Sequence, residues 1–287
     1  MRVLVLGGHG MAGHVITKYL TENTPWDVWC TVRSYNKNST SQSLLVDVVN
    51  HEDLLTVFDQ LKPDIVINSI GLLNQQADDQ IMDSIYLNSL FPHLLENYSQ
   101  SYDFRLIHIS TDCVFSGKEG DYVEDAIKDG TTVYAKTKSL GEITNAPHAT
   151  IRTSIIGPEL KKDGIGLFHW FMHQSGEISG YNEVMWNGVS TIELAKAIAW
   201  MITHETTGLV HLTAPQKISK YDLLHLFKKH FNTSQVQITP NHQIRSNKCL
   251  VNTREDFTFP VSSYDSMIQE LKAWIDASGK EIYPYYF

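Results

Sequence analysis

Residues 2–13 read Arg2-Val3-Leu4-Val5-Leu6-Gly7-Gly8-His9-Gly10-Met11-Ala12-Gly13. An apolar run of strand length stops at a cluster of glycines, and a helix-like pattern continues to about Leu20. The glycines fit Gly-x-Gly-x-x-Gly through Gly8, Gly10 and Gly13, and Gly-x-x-Gly-x-x-Gly through Gly7, Gly10 and Gly13. Without side chains they let the backbone turn tightly and approach a pyrophosphate. The phosphate then meets the free N–H groups and partial positive charge of a helix N-terminus. A lone match is weak, but here it lies between a strand and a helix, the context that gives it meaning. This opening predicts a dinucleotide-binding turn with Gly7, Gly10, Met11 and Gly13 at the cofactor.

The same grammar repeats outward. Val28–Val32, Leu44–Val46, Asp64–Asn68, Arg105–Ile109 and Thr150–Ile155 read as further strands. Helical stretches fall between them at Glu52–Leu61, Ile81–Tyr98 and about Tyr134–Thr144. Alternating strands and helices predict an α/β protein with a Rossmann-type doubly wound parallel sheet, covered on both faces. Such a sheet binds ligands beyond the carboxyl ends of its strands. After Gly157 the pattern loosens into a polar loop at Lys161–Gly166. A helix at Thr191–Thr203, a short strand at Gly208–Leu212 and helices at Tyr221–Phe231 and Ser263–Ala277 follow. The expected organisation is an NAD(P)-binding Rossmann domain over residues 1–160 and a smaller C-terminal substrate-binding lobe over residues 161–287, interleaved with it.

Bulk properties narrow the function classes. The chain has 287 residues, 42% hydrophobic and 10% aromatic, ample for a large core. A formal net charge of −9 argues against a nucleic-acid surface, which needs a basic patch to displace counterions. Cys30, Cys113 and Cys249 have no metal-ligand spacing, and their odd number suits no disulfide framework, so reduced thiols of a cytoplasmic protein are expected. The 13 histidines include no His-x-x-His or His-Glu-x-x-His, and no catalytic metal is expected. The run Val3–Leu6 ends too early for a signal peptide, and no apolar stretch nears the roughly 20 residues of a membrane helix.

The end of the second strand reports on the cofactor's ribose. An acid there favours NAD. This chain has Val32-Arg33-Ser34 and no Asp or Glu from Val28 to Val46. Arg33, with Lys37 nearby, can fork onto a 2′-phosphate, which favours NADPH over NADH. After the third strand, Asp47 can accept from the adenine amino group while the backbone of Val48 reads the ring.

Ser110-Thr111-Asp112 ends the fifth strand, and Tyr134-Ala135-Lys136-Thr137-Lys138 opens a helix 22 residues after Asp112. Tyr134 and Lys138, four apart, share one helix face. A phenol of pKa about 10 is a poor proton carrier at neutral pH, and a nearby ammonium brings it closer to working range. The hydroxyl of Thr111 can hold a carbonyl oxygen where charge develops. Thr111, Tyr134 and Lys138 are therefore the expected catalytic residues.

Together, Gly7-x-x-Gly10-x-x-Gly13, the string Ser110-Thr111-Asp112-Cys113-Val114-Phe115-Ser116-Gly117 and Tyr134-x-x-x-Lys138-x-x-x-Glu142 resemble the extended short-chain dehydrogenase/reductase superfamily. Within it the chain is most similar to the dTDP-4-dehydrorhamnose reductase family. The resemblance covers about the first 160 residues well and the rest more loosely. It implies Thr111, Tyr134 and Lys138 as a triad, with Lys138 also holding the nicotinamide ribose. It places Asn68, Ser69 and Gly71 beside the cofactor. It assigns Asn88 a structural or proton-relay role, and Arg152-Thr153-Ser154 to the strand whose following backbone flanks the nicotinamide. Asp112 and Val114 join Thr111 on the substrate side. The chain departs from the family pattern at Leu6, where Thr is common, at Cys113, where Tyr is common, and at Asn252-Thr253-Arg254, where an Arg-Pro string is common.

The later segment is the expected substrate reader. Phe168, Trp170, Phe171, Tyr181 and Trp186 are dense, and aromatic faces stack on bases and sugars. Trp186, Asn187 and Arg254 are the expected substrate contacts, Arg254 for the pyrophosphate. The resemblance implies NAD(P)H-dependent reduction of a 4-keto-6-deoxy sugar on a nucleoside diphosphate, by a monomer or homodimer without nucleic-acid or membrane partners. One alternative is a reductase or epimerase of UDP-linked deoxy or amino sugars. Another is a non-catalytic NADP-binding subunit, like the regulatory beta subunit of methionine adenosyltransferase, which resembles the same family; retention of Tyr134 and Lys138 argues against it. The aromatic tail Tyr283-Pro284-Tyr285-Tyr286-Phe287 is expected to dock on the body or on a second subunit.

Overall fold

In the computed structural model, which describes residues 1–279, 281–283 and 285, the opening run is strand β1 (Arg2–Leu6), and the glycine turn delivers the chain into helix α1 (Met11–Asn23). Next come β2 (Asp27–Val32), β3 (Ser43–Leu45), α2 (His51–Leu61) and β4 (Ile65–Asn68). After α3 (Asn74–Asp79), the stretch expected as one helix is assembled from α4 (Ile81–Ser84), a π-helical segment Ile85–Leu90 and α5 (Phe91–Tyr102). β5 (Arg105–Thr111), α6 (Val133–Leu140) and β6 (Ala149–Thr153) complete the first half. Then follow β7 (Ile155–Ile156), α7 (Leu167–Met172), β8 (Gly176–Trp186), β9 (Val189–Ser190), α8 (Thr191–Thr203) and β10 (Gly208–His211). β11 (Ile218–Ser219), α9 (Lys220–Phe231), β12 (Val236–Asn247) and α10 (Tyr264–Ser278) close the chain.

Seven strands form one parallel sheet in the order β10-β6-β5-β4-β1-β2-β3. The order reverses between β1 and β4, and a crevice opens at such a reversal. Alternation along the strands sends side chains to opposite faces. Val3, Val5, Ile65 and Ile67 pack with Val15, Ile16 and Leu20 of α1 and with α8. Leu4, Leu6 and Val66 pack with Leu54, Val57 and Phe58 of α2 and Leu95 of α5. Burial on both faces explains why β1 reads as an unbroken apolar run. β10 lies beside β6, Gly208 opposite Ala149 and His211 opposite Arg152, so residues on both sides of position 160 build the large sheet.

A second sheet, ordered β11-β8-β12, carries two long strands absent from the sequence reading. β8 reads Gly-Glu-Ile-Ser-Gly-Tyr-Asn-Glu-Val-Met-Trp, and much of it faces solvent. β12 carries a register shift between Asn241 and Arg245 that breaks any two-residue rhythm. Polar strands of this kind have no hydrophobic signature, and pairing with each other specifies them. Helix α6 stops at Leu140, short of the expected Thr144, because Gly141 passes the backbone of Asn88 so closely that a Cβ there would stand 1.9 Å from its carbonyl oxygen.

The C-terminal tail docks on the body. Tyr283 Oη receives the indole N–H of Trp274 at 2.9 Å and lies 3.1 Å from His14 Nε2. Tyr285 Oη receives the backbone N–H of Glu159 at 2.9 Å and meets His169. Pro284, Tyr286 and Phe287 lie outside the described residues. Among the described residues no helix is long and apolar enough to cross a membrane.

Candidate active site

A cleft of about 400 Å³ opens where the sheet order reverses, beyond the carboxyl ends of β1, β4 and β5. Gly10 and Met11 line it from the glycine turn, Ser69 and Gly71 from the end of β4, and Thr111 and Asp112 from the end of β5. Tyr134 and Lys138 reach it from α6. A second cavity of similar size, between α1 and the chain after β2, contains none of these catalytic side chains.

The glycines divide their work. Gly7 has φ +89°, a conformation open to glycine, and shapes the turn. A Cβ on Gly13 would stand 2.1 Å from the carbonyl oxygen of Gly7, so this residue allows the helix to press against the strand. Gly10 and Met11 face the cleft, whereas Gly7 and Gly13 do not line it. Helix α1 has Gly10 at its N-cap, no side-chain cap and no acid in its first turn. Its first N–H groups therefore offer donors and positive potential to an anion. These residues fit the pyrophosphate of a nicotinamide dinucleotide.

At the end of β2, Arg33 is exposed, with no hydrogen-bond or ion-pair partner among the described residues. Lys37 is not the free second cation expected, since its ammonium donates to the carbonyl of Glu281 in the tail. Asp47 is exposed, and its carboxylate accepts from the N–H of Val49 at 3.1 Å. The side chain of Val48 is buried, and its carbonyl accepts from Tyr86 at 3.3 Å.

Thr132 caps α6, its hydroxyl accepting from the N–H of Ala135 at 3.1 Å, and this sets Tyr134 in the first turn. Tyr134 and Thr111 line the cleft as neighbours, and the ring is only 8% exposed. Burial pushes the phenol above its ordinary pKa, and the nearby Cys113 pushes the same way. One turn on, Lys138 donates to the carbonyl of Ile109 at 2.7 Å and lies 3.2 Å from His108 Nε2. Burial brings Lys138 down to about 8, against the opposing pull of Glu142. The sequence reading had the ammonium lowering the phenol. In the structure the ammonium turns to Ile109 and His108, and burial raises the phenol instead.

A family model described as RmlD substrate binding domain matches residues 1–250. The chain belongs to this family. It is 28% identical over 159 residues to a dTDP-4-dehydrorhamnose reductase of Aggregatibacter actinomycetemcomitans, covering 53% of this chain and about half (51%) of that relative. Its fold is similar to a crystal structure of a dTDP-4-dehydrorhamnose reductase from Clostridium acetobutylicum, with TM-score 0.80 at 20% identity over 96% of this chain and 100% of the other. It is also similar to the Bacillus anthracis dTDP-4-dehydrorhamnose reductase in complex with NADP, with TM-score 0.79 at 19% identity over 96% and 99% of the two chains.

In this RmlD-family chain, several predicted contacts have other employment. Asn68 is fully buried and does not line the cleft; its Oδ1 accepts from Ile70 N at 3.1 Å, and its Nδ2 faces His108 Nδ1 at 3.2 Å. Asn88 is equally buried. Its amide pairs with both backbone groups of Leu72 at 2.9 Å and donates to Thr137, pinning the loop after β4 to α6. Asn88 does not line the cleft. Val114 packs in a small core with Phe115, Tyr122 and Leu250, away from the cleft. Trp186 is 3% exposed and donates to Ser154 at 2.8 Å, so no indole face is open for stacking on substrate. The amide of Asn187 is used on both sides by the backbone of Leu250, at 2.7 and 3.0 Å.

Arg254 is the clearest correction. Its guanidinium donates to the carbonyls of Thr207 and Leu209 and to the carboxylate of Asp256. Those carbonyls stand where β10 begins, at the amino edge of the sheet and opposite the cleft. A contact with substrate in the cleft is excluded by this placement.

Sequence reasoning also missed residues that build the site. His108 is fully buried between Asn68 and Lys138. Asn68 Nδ2 and Lys138 Nζ each stand 3.2 Å from a nitrogen of the His108 ring. Burial holds the His108 imidazole well below its ordinary pKa, and Lys138 pushes the same way. Glu142 meets Arg152 through two bonds of 2.6 and 2.8 Å, and also Lys128 and Ser110. Against its burial, Arg152 and Lys128 hold its carboxyl below the ordinary range. It ties the ends of β5 and β6 together beside the cleft. Alternating placement on β5, with His108 and Ser110 on one face, was the available signal.

Proposed function

We infer that this protein reduces the 4-keto group of a 4-keto-6-deoxy sugar carried on a nucleoside diphosphate, using NAD(P)H. The observation that carries the reading is the convergence of Thr111 and Tyr134 in one cleft, beside an uncapped helix N-terminus. The names of the relatives, dTDP-4-dehydrorhamnose reductases among them, support it.

A bound nicotinamide supplies the hydride that reaches the carbonyl carbon. Gly10, Met11, Ser69 and Gly71 would hold the dinucleotide, and Lys138 the ribose hydroxyls. Thr111 Oγ1 and Tyr134 Oη donate to the carbonyl oxygen and stabilise it as negative charge develops. Tyr134 Oη then gives its proton to that oxygen, completing the alcohol, and is reprotonated from solvent. Its raised pKa keeps the phenol protonated until the oxygen becomes strongly basic. The preference is for NADPH, supported by an unpartnered Arg33 and by the absence of any acid from Val28 to Val46. The bound NADP of the Bacillus anthracis relative agrees with this cofactor class. The substrate lobe is formed by residues 161–287, with α8 and β10 returning to the cofactor domain of residues 1–160.

The test is oxidation of NADPH by the purified protein with a panel of keto-sugar nucleotides. Turnover is expected with a 4-keto-6-deoxy sugar. Tyr134→Phe should lower it by roughly 10²–10⁴-fold, the range for one positioned proton donor, with dinucleotide affinity nearly unchanged. No turnover across the panel, or near-normal turnover by Tyr134→Phe, would overturn the reading.

A further inference from the structure

Lys220 is the first residue of α9, and its side chain reaches the same cleft as Thr111, Asp112 and Tyr134. Its ammonium lies 5.0 Å from the centre of the Trp186 ring and has no hydrogen-bond or ion-pair partner among the described residues. Trp186, fixed by its bond to Ser154, supports the cation from behind. Facing it electrostatically are Asp112, Cys113 and Cys249. A half-buried ammonium without an acceptor is unfavourable, and here desolvation brings it down to about 8.

Asp112 is the complementary half. Its carboxylate is buried, 9% exposed, and receives the Thr111 hydroxyl at 3.2 Å. Burial raises its pKa while Lys248 and Lys220 draw it down. Lys220 and Asp112 thus attract each other across the cleft without closing an ion pair. A strong acceptor that is buried and a strong donor that is half-buried, lining one cleft without an ion pair between them, match a group that accepts and donates at once. A hydroxyl is such a group. Because the Asp112 carboxylate lies 3.2 Å from Thr111 Oγ1, a hydroxyl bound by Asp112 would lie close to the carbonyl oxygen that Thr111 holds.

We propose that Lys220 and Asp112 grip the sugar hydroxyl adjacent to the reacting carbonyl, Lys220 donating to its oxygen and Asp112 accepting its proton. The assignment rests on the keto-sugar reading and makes this pair a determinant of sugar specificity. A sugar without that hydroxyl leaves both charged groups unpaired, and sites built to bond a hydroxyl reject analogues that lack it.

The experiment is calorimetry on the NADP⁺-loaded enzyme with the reduced sugar nucleotide and its 3-deoxy analogue. Wild type should bind the 3-deoxy compound about 10- to 100-fold more weakly, the range for lost charged hydrogen bonds. K220M should bind the parent compound with a similar loss and no longer distinguish the two ligands, while its NADP⁺ affinity, which reports folding, stays unchanged. K220Q, which keeps a donor, should fall between them and carries the test if K220M does not fold. Discrimination by K220M or K220Q equal to that of wild type would overturn the proposal. Because the readout is binding, Lys220-dependent discrimination without turnover would support the grip and overturn the reductase reading.

Discussion

Replacing Arg254 with Ala separates stability from recognition. The side chain is 23% exposed, and its partner Asp256 is 65% exposed. The ion pair is therefore largely solvated and contributes up to about 1 kcal/mol. The charged bonds to the carbonyls of Thr207 and Leu209 are better shielded and contribute about 1.5–3 kcal/mol. The expected destabilisation is about 2–4 kcal/mol. For a chain of this size each kcal/mol lowers Tm by roughly 2–4 °C, so a fall of about 4–15 °C is expected. Thermal unfolding by circular dichroism measures it, and calorimetry with NADPH and the sugar nucleotide measures binding well below Tm. Both affinities should match wild type, because the guanidinium lies at the amino edge of the sheet and the cleft at the carboxyl edge. An unchanged Tm with sugar-nucleotide binding weakened tenfold or more would refute the placement.

Three further outcomes follow from the cofactor side. Arg33→Ala should narrow the preference for NADPH over NADH in fluorescence titrations; equal affinities in the unmodified protein would remove the 2′-phosphate role. Gly13→Ala should greatly weaken dinucleotide binding and lower Tm, since the added Cβ would meet the carbonyl oxygen of Gly7 at 2.1 Å; a normal titration would show that the turn relaxes freely. Lys138 titrates at about 8 when folded, below its ordinary 10.5, so its buried charge destabilises the native state fully below pH 8. That penalty disappears as pH rises from about 8 to 10.5, where the unfolded chain holds the proton longer. Lys138→Met has no such penalty, so its Tm relative to wild type should be highest below pH 8 and decline above it; a constant difference across that range would contradict a neutralising lysine.

The sequence alone determined the large sheet and the groups that meet in the cleft, because both are local statements. β1 is buried on both faces and reads as unbroken apolar residues, and the glycine turn, Thr111 at a strand end, and Tyr134 four residues before Lys138 are each written in a few consecutive positions. Fold class, the position of the cleft and the convergence of Thr111 with Tyr134 follow from those patterns. Tertiary structure alone decided which polar groups are already occupied. Arg254, Asn187 and Trp186 have the chemistry of ligand contacts, but distant partners use it: the carbonyls of Thr207 and Leu209, the backbone of Leu250, and Ser154. Lys220, an ordinary lysine in the sequence, becomes a half-buried cation lining the cleft because α9 begins beside β8. A side chain's donors and acceptors are fixed by its type, but whether they remain free for a ligand depends on neighbours tens to hundreds of positions away, which no local pattern encodes.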